Sequence, residues 1–265
     1  MRVALIIPAR YASTRFPAKP LAPLTGATGL DKTLIRRSWE AACAVRGVAR
    51  VLVATDDDRI AEAARSFGAE VAMTDPACAN GTERCAEALD ALDPAPDLVV
   101  NFQGDAPLTP PWFVEALIAA MAADPTCDMA TPVLRCDAET LEALRADRRA
   151  GRVGGTTAVT ATSGDALYFS KEVLPYGASA DPAEGPPCLH HVGVYAYRPA
   201  ALRAYRDWPA GPLERAEGLE QLRFLENGRR VACVEVEARG AGFWELNNPS
   251  DRPRIESELR ARGLV

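Results

Sequence analysis

Short apolar runs alternate with helical segments through the first half of the chain, and this alternation constrains the fold more than any other feature. Runs of four to eight apolar residues are typical of buried strands, and apolar residues at helical spacing indicate helices. The predicted strands are Val3–Ile7, Val51–Ala54, Val71–Met73, Leu98–Phe102 and Met129–Leu134. The predicted helices are Thr33–Val45, Arg59–Phe67, Glu83–Leu92 and Pro111–Ala123. This order predicts an α/β fold with a mainly parallel, Rossmann-like sheet and helices on both faces.

The alternation changes after about Arg135. Segments 156–162 and 166–170 flank a Ser-Gly-Asp turn and predict an inserted antiparallel hairpin, and 176–187 is expected to be a loop. The remaining predicted elements are a strand at His191–Tyr197, helices at Ala200–Tyr205 and Leu213–Glu226, a strand at Val231–Val236 and a C-terminal helix at Ser250–Arg262. Asp57 or Asp58 is expected to cap the second helix, and Thr82 the third. With no repeat or linker, we expect one domain over residues 1–265 with an inserted lobe at about 136–198.

Composition excludes several classes of protein. The formal net charge of −6 argues against a nucleic-acid partner, and no stretch approaches 18 apolar residues, so no membrane span is expected. Seven cysteines are scattered without a C-x-x-C pair, which favours reduced thiols over a disulfide framework or a zinc site. We therefore expect a cytoplasmic location.

The segment that follows the first strand, Pro8–Leu21, carries two arginines and a lysine among small and hydroxyl residues. Guanidinium and ammonium groups match phosphate oxygens, and small residues let backbone N–H groups approach an anion. Arg10, Arg15 and Lys19 are thus candidates for holding one polyphosphate. The segment has neither the Walker A spacing nor the G-x-G-x-x-G fingerprint. The alternative is a surface loop with solvated cations.

Polar clusters follow three further predicted elements. The segment 54–57 follows the second strand, and Asn80–Arg84 is a glycine turn that leads into a helix, where the helix N-terminus and Arg84 can hold anionic groups. Asn101–Pro107 places Asp105 just beyond a buried strand. A carboxylate beside bound phosphates commonly holds Mg²⁺, which prefers oxygen ligands. The alternatives are a plain helix start with an exposed Arg84, and a turn aspartate that caps the next helix.

Six motifs occur in one order: Pro8–Arg10, Asn80–Arg84, Gln103–Pro107, Ala166–Ser170, His191–Tyr195 and Leu219–Arg223. In this order the chain resembles the CMP-Kdo synthetases, or 3-deoxy-manno-octulosonate (Kdo) cytidylyltransferases, from about Val3 to the C-terminal helix. The resemblance implies a fold of the nucleotide-diphospho-sugar transferase type. It also implies Mg²⁺-dependent transfer of CMP from CTP to the anomeric hydroxyl of Kdo, a 2-keto sugar acid. Pyrophosphate would be released, and the product would serve lipopolysaccharide or capsule synthesis. A homodimer is implied too, through the inserted lobe.

The same resemblance implies roles for individual residues. Those that would contact CTP are Ala9, Arg10, Ser13, Arg15, Lys19, Thr82, Arg84 and Gln103, with Arg10, Ser13, Arg15 and Lys19 on the triphosphate and Arg84 and Gln103 reading the cytidine. The catalytic set would be Arg10, Arg15, Lys19 and Asp105, with Asp105 as metal ligand. The sugar-acid pocket would contain Lys171, His191, Tyr195, Glu220 and Gln221. Because adjacent strand residues point to opposite faces, one of His190 and His191 is expected to face this pocket.

Several positions depart from the family pattern. Asn247 stands where the family has a second metal-binding aspartate; its amide oxygen can coordinate Mg²⁺ but brings no charge, and Glu245 is an alternative ligand. Thr157 replaces a lysine, and His190 replaces a basic residue. These changes leave two other functions open. One is cytidylyl transfer to another ulosonic acid, such as a modified Kdo or a sialic-type sugar, and the other is nucleotide binding by a catalytically impaired homologue.

Overall fold

The computed structural model describes residues 1–12, 16–153, 155–242 and 244–265. The strands are β1 (Val3–Ala9), β2 (Pro23–Thr25), β3 (Asp31–Thr33), β4 (Arg50–Thr55), β5 (Glu70–Met73), β6 (Leu98–Phe102), β7 (Met129–Arg135), β8 (Thr156–Thr160), β9 (Ala166–Ser170), β10 (Leu189–His191), β11 (Val194–Tyr197) and β12 (Val231–Glu235). The α-helices are α1 (Leu34–Cys43), α2 (Asp58–Ser66), α3 (Gly81–Asp90), α4 (Pro111–Ala123), α5 (Ala138–Arg149), α6 (Pro199–Asp207), α7 (Pro212–Glu217), α8 (Leu222–Glu226) and α9 (Arg252–Ala261).

The chain divides into two compact units, and the first comprises Met1–Glu115 and Ala238–Val265. Its strands run in the order β5-β4-β1-β6, and every neighbouring pair is parallel. All seven residues of β1 are buried, as expected for a strand covered on both faces. A separate antiparallel hairpin, β2–β3, was not predicted.

Two helices of this unit begin at side-chain caps. Asp57 caps α2 by accepting a hydrogen bond from the Arg59 N–H at 3.0 Å, which confirms one of the two predicted caps. The prediction that Thr82 caps α3 is wrong. The Asn80 side chain accepts from the Glu83 N–H at 2.8 Å, so Thr82 lies inside the first turn. Asparagine is as good an N-cap as threonine or better, and here it comes first in the chain.

The second unit, Ala116–Glu237, is arranged around β7. β12 pairs with β7 in parallel, whereas β10 and β11 pair with it antiparallel. β10 also pairs antiparallel with β8, and β8 pairs antiparallel with β9. The predicted hairpin, β8–β9, is therefore confirmed. The expected lobe at 136–198 lies within this unit. Together the two units confirm the predicted fold class, a mixed and mostly parallel α/β sheet with an antiparallel hairpin.

Two elements of the second unit differ from the prediction. The strand predicted at 191–197 is interrupted at Val192–Gly193, where the register against β7 shifts between His191↔Val133 and Ala196↔Ala130. The helix predicted at 213–226 is two helices, because Gly218 adopts a left-handed conformation with φ of 62° and ends α7. In both places the apolar spacing of the sequence continues through the break, which is why a single element was predicted. Within the described ranges, no helix has the length and hydropathy that a bilayer crossing requires.

Candidate active site

The carboxyl ends of β1 and β6 approach each other closely in the first unit. A Cβ atom at Gly104 would lie 2.7 Å from the Pro8 carbonyl oxygen, so only glycine fits between the two strand ends. The Ser38 hydroxyl donates to the Gly104 carbonyl at 2.9 Å and fixes the turn from behind. The next residue, Asp105, is thereby held beside the loop that follows β1.

That loop brings Lys19 into contact with Asp105. The Lys19 Nζ lies 2.6 Å from Asp105 Oδ2, and the two side chains are 15% and 24% exposed. Ala18 has a φ of 57°, which is uncommon outside glycine and turns the chain before Lys19. The Ala18 N–H also donates to the Tyr11 carbonyl at 3.2 Å, closing the loop. The cation predicted for phosphate and the carboxylate predicted for metal therefore belong to one site.

The start of the same loop is held by helix α2. Ala9 ends β1 as a buried residue, and Arg10 is exposed directly after it. The Arg59 guanidinium lies 3.4 Å from the centre of the Tyr11 ring while it also binds the Asp57 carboxylate. Two residues predicted to contact the triphosphate, Ser13 and Arg15, lie outside the described residues.

Arg84 is a buried side chain in the first turn of α3. Its guanidinium contacts Asp56 Oδ2 at 3.2 Å and is hydrogen-bonded to the Thr74 hydroxyl. The sequence predicted a binding role for Arg84 but not its contacts with Asp56 and Thr74. Asp56 could have been noticed because it is a carboxylate directly after the strand β4. The ion pair fixes the orientation of Arg84 before any nucleotide binds.

Gly81 opens a small polar recess at the N-terminus of α3. A Cβ at this position would lie 3.3 to 3.5 Å from Pro8 Cγ, Asn101 Nδ2 and Gln103 Nε2. Thr82 is buried in the same turn. The structure therefore gathers Thr82 and Gln103, both predicted to contact CTP, around the end of β6. Asn101, which had no assigned role, lies there too.

The backbone of Asp105 is joined to a segment from the C-terminal part of the chain, Glu245–Asn247. The Leu246 N–H donates to the Asp105 carbonyl at 2.8 Å, which brings both neighbours of Leu246 close to the strand end. Asn247 Nδ2 donates to Glu245 Oε2 at 3.2 Å. The side chains of Asp105, Asn247 and Glu245 all offer oxygen atoms, which are the ligands that Mg²⁺ prefers.

These oxygen donors fit a metal that is held partly by its substrate. No group of three or more His, Cys, Asp or Glu side chains within the described ranges could hold a metal ion alone. Mg²⁺ commonly binds one or two carboxylates together with substrate phosphates and water. The donor set at Asp105 is of that kind.

His191 is the centre of the candidate site in the second unit. Its Nε2 lies 2.9 Å from the Thr131 hydroxyl, which is also 2.9 Å from the Val194 carbonyl and 3.1 Å from the Val192 carbonyl. The Thr131 hydroxyl has one proton and lies next to the Val194 carbonyl, so the geometry favours the tautomer in which His191 donates from Nε2. Burial, with a smaller contribution from His190, lowers the pKa of His191 to about 3. The ring is therefore neutral at physiological pH.

Aromatic and amide side chains surround this imidazole. The Tyr195 ring is stacked on His191 at a centroid distance of 5.6 Å, and Phe169 meets it edge-on at 5.0 Å. The Tyr195 hydroxyl lies 3.4 Å from Gln221 Oε1. Gln221 Nε2 is a buried donor with no hydrogen-bond partner among the described residues. Three of the residues predicted for the sugar acid thus form one cluster, and Glu220 precedes Gln221 at its edge.

Lys171 lies apart from that cluster, beside the turn at Gly218. Its Nζ is 3.0 Å from where a Cβ at Gly218 would be, and its N–H donates to Glu217 Oε2 at 2.9 Å. Burial alone would raise the pKa of Glu217, but hydrogen bonds from the Lys171 N–H, the Ser170 hydroxyl and Tyr168 outweigh it and lower the pKa. Glu217 was missed from sequence because its partners come from β9, far away along the chain.

The two departures from the family pattern in this unit have structural partners. The Thr157 hydroxyl donates to the Glu172 carbonyl at 2.7 Å and accepts from the Leu174 N–H at 3.2 Å. His190 points away from His191, toward Gly155, and burial lowers its pKa. As predicted, only one of the two histidines belongs to the aromatic cluster.

The parallel sheet, the basic loop after β1 and the carboxylate at the end of β6 agree with the comparisons, which identify a nucleotidyltransferase. The cytidylyltransferase family model matches residues 4–231. The chain is 45% identical over 263 residues to a 3-deoxy-manno-octulosonate cytidylyltransferase of Maricaulis maris, with 99% of each chain covered. It is 38% identical to one of Zea mays, covering 99% of this chain and 83% of that one. The chain belongs to the 3-deoxy-manno-octulosonate cytidylyltransferase family.

Solved structures agree with this assignment. A CMP:2-keto-3-deoxy-manno-octonic acid synthetase complexed with CTP superposes with a TM-score of 0.84 at 33% identity, covering 99% of this chain and 100% of that chain. A 4-diphosphocytidyl-2C-methyl-D-erythritol synthase from Anaerococcus prevotii reaches 0.60 at 13% identity, covering 98% and 96%. The second likeness is one of fold alone.

Proposed function

We propose that this protein transfers CMP from CTP to the anomeric hydroxyl of 3-deoxy-manno-octulosonate and releases pyrophosphate. The contact between Lys19 Nζ and Asp105 Oδ2 carries this proposal. It puts a phosphate-binding cation and a carboxylate within one site of a family member. Reactions of this kind need in-line positioning and cationic stabilisation of the developing charge more than covalent chemistry from the protein.

The first unit supplies the groups for the nucleotide. Lys19 and Arg10, together with Arg15 and Ser13, would bind the triphosphate. Arg84, fixed by Asp56, and Gln103 would bind the cytidine. Since the Lys19–Asp105 pair is partly exposed, phosphate oxygens can replace the carboxylate as partners of the ammonium group.

We also propose Mg²⁺ as the cofactor, held by Asp105 with Asn247 or Glu245. When bound, such an ion neutralises charge on the phosphates during transfer. The support is the Asp105 carboxylate at the strand end and the hydrogen bond that brings the Glu245–Asn247 segment to the Asp105 backbone. Asn247 Nδ2 donates to Glu245 Oε2, so these two side chains lie next to each other.

The second unit would supply neutral groups and one cation for the sugar acid. His191, Tyr195 and Gln221 offer hydrogen bonds to hydroxyl groups, and Lys171 offers a positive charge for a carboxylate. A second candidate substrate, another ulosonic acid, is favoured by Thr157. Its hydroxyl is bound to backbone groups and replaces a cationic side chain with a neutral one.

The proposal extends to the setting of the reaction. We propose that the protein works in the cytoplasm, in lipopolysaccharide or capsule synthesis, and as a homodimer that uses the 136–198 lobe. Three large apolar side chains in this lobe are strongly exposed, at Val153, Leu167 and Tyr176. Sedimentation velocity of the wild type and of Leu167→Lys tests the dimer, which the variant should weaken.

The decisive experiment measures pyrophosphate release with each nucleotide and each sugar acid. We expect release with CTP, Mg²⁺ and Kdo together, little with ATP, GTP or UTP, and none with EDTA. Mass spectrometry should identify CMP-Kdo. A larger kcat/KM with a sialic-type or modified acid would assign the second candidate. Equal turnover of UTP, or CTP binding without turnover at saturating Mg²⁺, would contradict cytidylyl transfer.

A further inference from the structure

Two cysteines that are far apart in sequence lie opposite each other in the second unit. In the antiparallel pairing of β7 and β10, Leu189 faces Arg135, so the next residues, Cys188 and Cys136, face each other. The Cys136 N–H donates to the Cys188 carbonyl at 2.9 Å. Opposed residues in such a hydrogen-bonded pair have Cα atoms about 5.5 Å apart, inside the range of about 4.4–6.8 Å that a disulfide spans.

The two thiols also interact directly and are not equivalent. A hydrogen bond from Cys136 lowers the pKa of Cys188 against the opposing effect of burial, and the positive charge of Arg145 acts in the same direction. The same hydrogen bond, together with burial, raises the pKa of Cys136. The thiolate is the reactive form, so we assign the attack to Cys188, and the two cysteine variants below test that assignment.

We propose that Cys136 and Cys188 are an oxidation site, at which a peroxide-class oxidant joins the two thiols in a reversible cross-strand disulfide. The Cys188 thiolate attacks one peroxide oxygen, breaks the O–O bond and becomes a sulfenic acid as hydroxide leaves. The Cys136 sulfur then attacks the sulfenic sulfur, and the S–O bond breaks with loss of water. In sum, two thiols and one hydrogen peroxide give one disulfide and two water molecules.

We expect this bond to be reversible, because opposed strand residues generally lie farther apart than a disulfide prefers. Cβ atoms of directly opposed residues lie about 4.5–5.5 Å apart, whereas a disulfide prefers about 3.5–4.5 Å. Closing the bond therefore draws β7 and β10 together at this point. A disulfide that holds such strain is more easily reduced than an unstrained one, so thiols of the glutathione class can restore the reduced pair.

A single loop covers both sulfurs. Cys136 and Cys188 pack with Leu141 and Leu144 of α5 and with Ala178, which belongs to the loop between β9 and β10. Arg145 Nη2 donates to the Ala178 carbonyl at 2.6 Å and holds the loop against the helix. Displacing Ala178 opens a path for a small oxidant, whereas a bulky alkylating reagent reaches the thiols more slowly.

The experiment treats the reduced wild-type protein with hydrogen peroxide and maps its thiols by mass spectrometry without reduction. We expect a linked Cys136–Cys188 peptide that has lost two hydrogen atoms, as the dominant product and in monomeric chains. Dithiothreitol should reverse it. Cys127→Ser is the matched control, because Cys127 is a buried thiol of the same unit that donates to the Met129 carbonyl. This variant should form the same link.

Two variants separate the proposed roles. In Cys136→Ser, Cys188 should stop at a sulfenic acid that dimedone traps, whereas in Cys188→Ser trapping at Cys136 should be much weaker. The mapping experiment uses the wild-type protein, so its result does not depend on whether the variants fold. Pairing spread over several cysteines, or both thiols still reduced after peroxide has oxidised the exposed Cys43, would overturn the proposal.

Discussion

The candidate groups of the two units differ in charge and burial. In the first unit they are charged and partly exposed, as Lys19 and Asp105 are. In the second unit the central cluster is buried and neutral, with His191 between the Thr131 hydroxyl and aromatic rings, and Lys171 is the charged exception. Charged groups match a polyphosphate, and neutral donors and acceptors match the hydroxyl groups of a sugar. The contrast agrees with the proposed division between nucleotide and sugar acid.

Ion pairs in the two units differ in the same way. The Lys19–Asp105 pair is partly exposed, and such a pair contributes only about 0–1 kcal/mol to stability. Arg223 and Glu214 form a buried bidentate pair in the second unit, at 2.6 and 2.7 Å, beneath the residues that carry Gln221. This pair is structural, and removing one partner leaves an unpaired buried charge.

The largest expected effect is on activity, from a substitution in the first unit. Asp105→Asn removes the charge for a metal ion and should lower kcat/KM by at least about 10²- to 10³-fold while changing the unfolding free energy by less than about 1 kcal/mol. Steady-state pyrophosphate release and urea unfolding measure the two quantities. Glu142→Gln, which breaks a surface pair with Arg149, is the control and should leave activity unchanged. Normal activity of Asp105→Asn would remove the metal role.

The next effect is on stability, in the second unit. Glu214→Gln leaves the buried Arg223 charge uncompensated and should lower the unfolding free energy by about 3–5 kcal/mol. The control, Glu235→Gln, breaks the exposed pair with Arg135 and should cost less than about 1 kcal/mol. Urea denaturation compares them. Equal, small losses in both variants would show that the buried pair is no more structural than the surface pair.

A smaller effect concerns pH and His191. Its pKa is about 3 in the folded state, below the ordinary value of about 6.5 in an unfolded chain, so the unfolded chain takes up the proton first. Its contribution to stability is thus complete above pH 6.5 and is lost as the pH falls toward 3, by about 1.4 kcal/mol per pH unit.

The variant His191→Asn lacks this proton and should lose less stability between pH 7.5 and pH 5 than the wild type, by about 2 kcal/mol. Urea unfolding at the two pH values measures the difference, in which the carboxylates common to both proteins cancel. Identical losses would mean that the imidazole titrates normally in the folded state.

The smallest effect should come from Asn247→Asp, again in the first unit. If Asn247 is a ligand of the ion, the added charge should lower the Mg²⁺ concentration for half-maximal activity by about two- to tenfold. Ser250→Asp adds the same charge at an exposed position and serves as the control. If both variants shift the Mg²⁺ dependence equally, Asn247 has no special place at the ion.

Much of the fold was predictable because its signals are local. The apolar run at Val3–Ile7 is enough to predict a buried strand, and Asp57 precedes its helix as a cap should. The break at Gly218 was missed because the apolar spacing continues through it, although glycine is the residue that most often ends a helix in a left-handed conformation. Helix α5, capped by Asp137, was missed because its sequence is mostly polar.

The candidate site was predictable in its residues more than in their partners. Lys19 and Asp105 were named separately for phosphate and metal, and the structure shows them in contact. Asp56 and Glu217 were assigned no role, because each acts through a side chain or backbone group that comes from another element. Such pairings depend on tertiary structure and cannot be predicted from a single sequence.

The close passage at Gly104 has a mechanical consequence for this enzyme family member. The Pro8 carbonyl leaves no space for even a methyl group, so any substituent would act as a wedge between the two strand ends. Separating the strand ends would change the distance between Lys19 Nζ and Asp105 Oδ2 without changing any charged residue. The distance between these two groups is therefore set by a residue with no side chain.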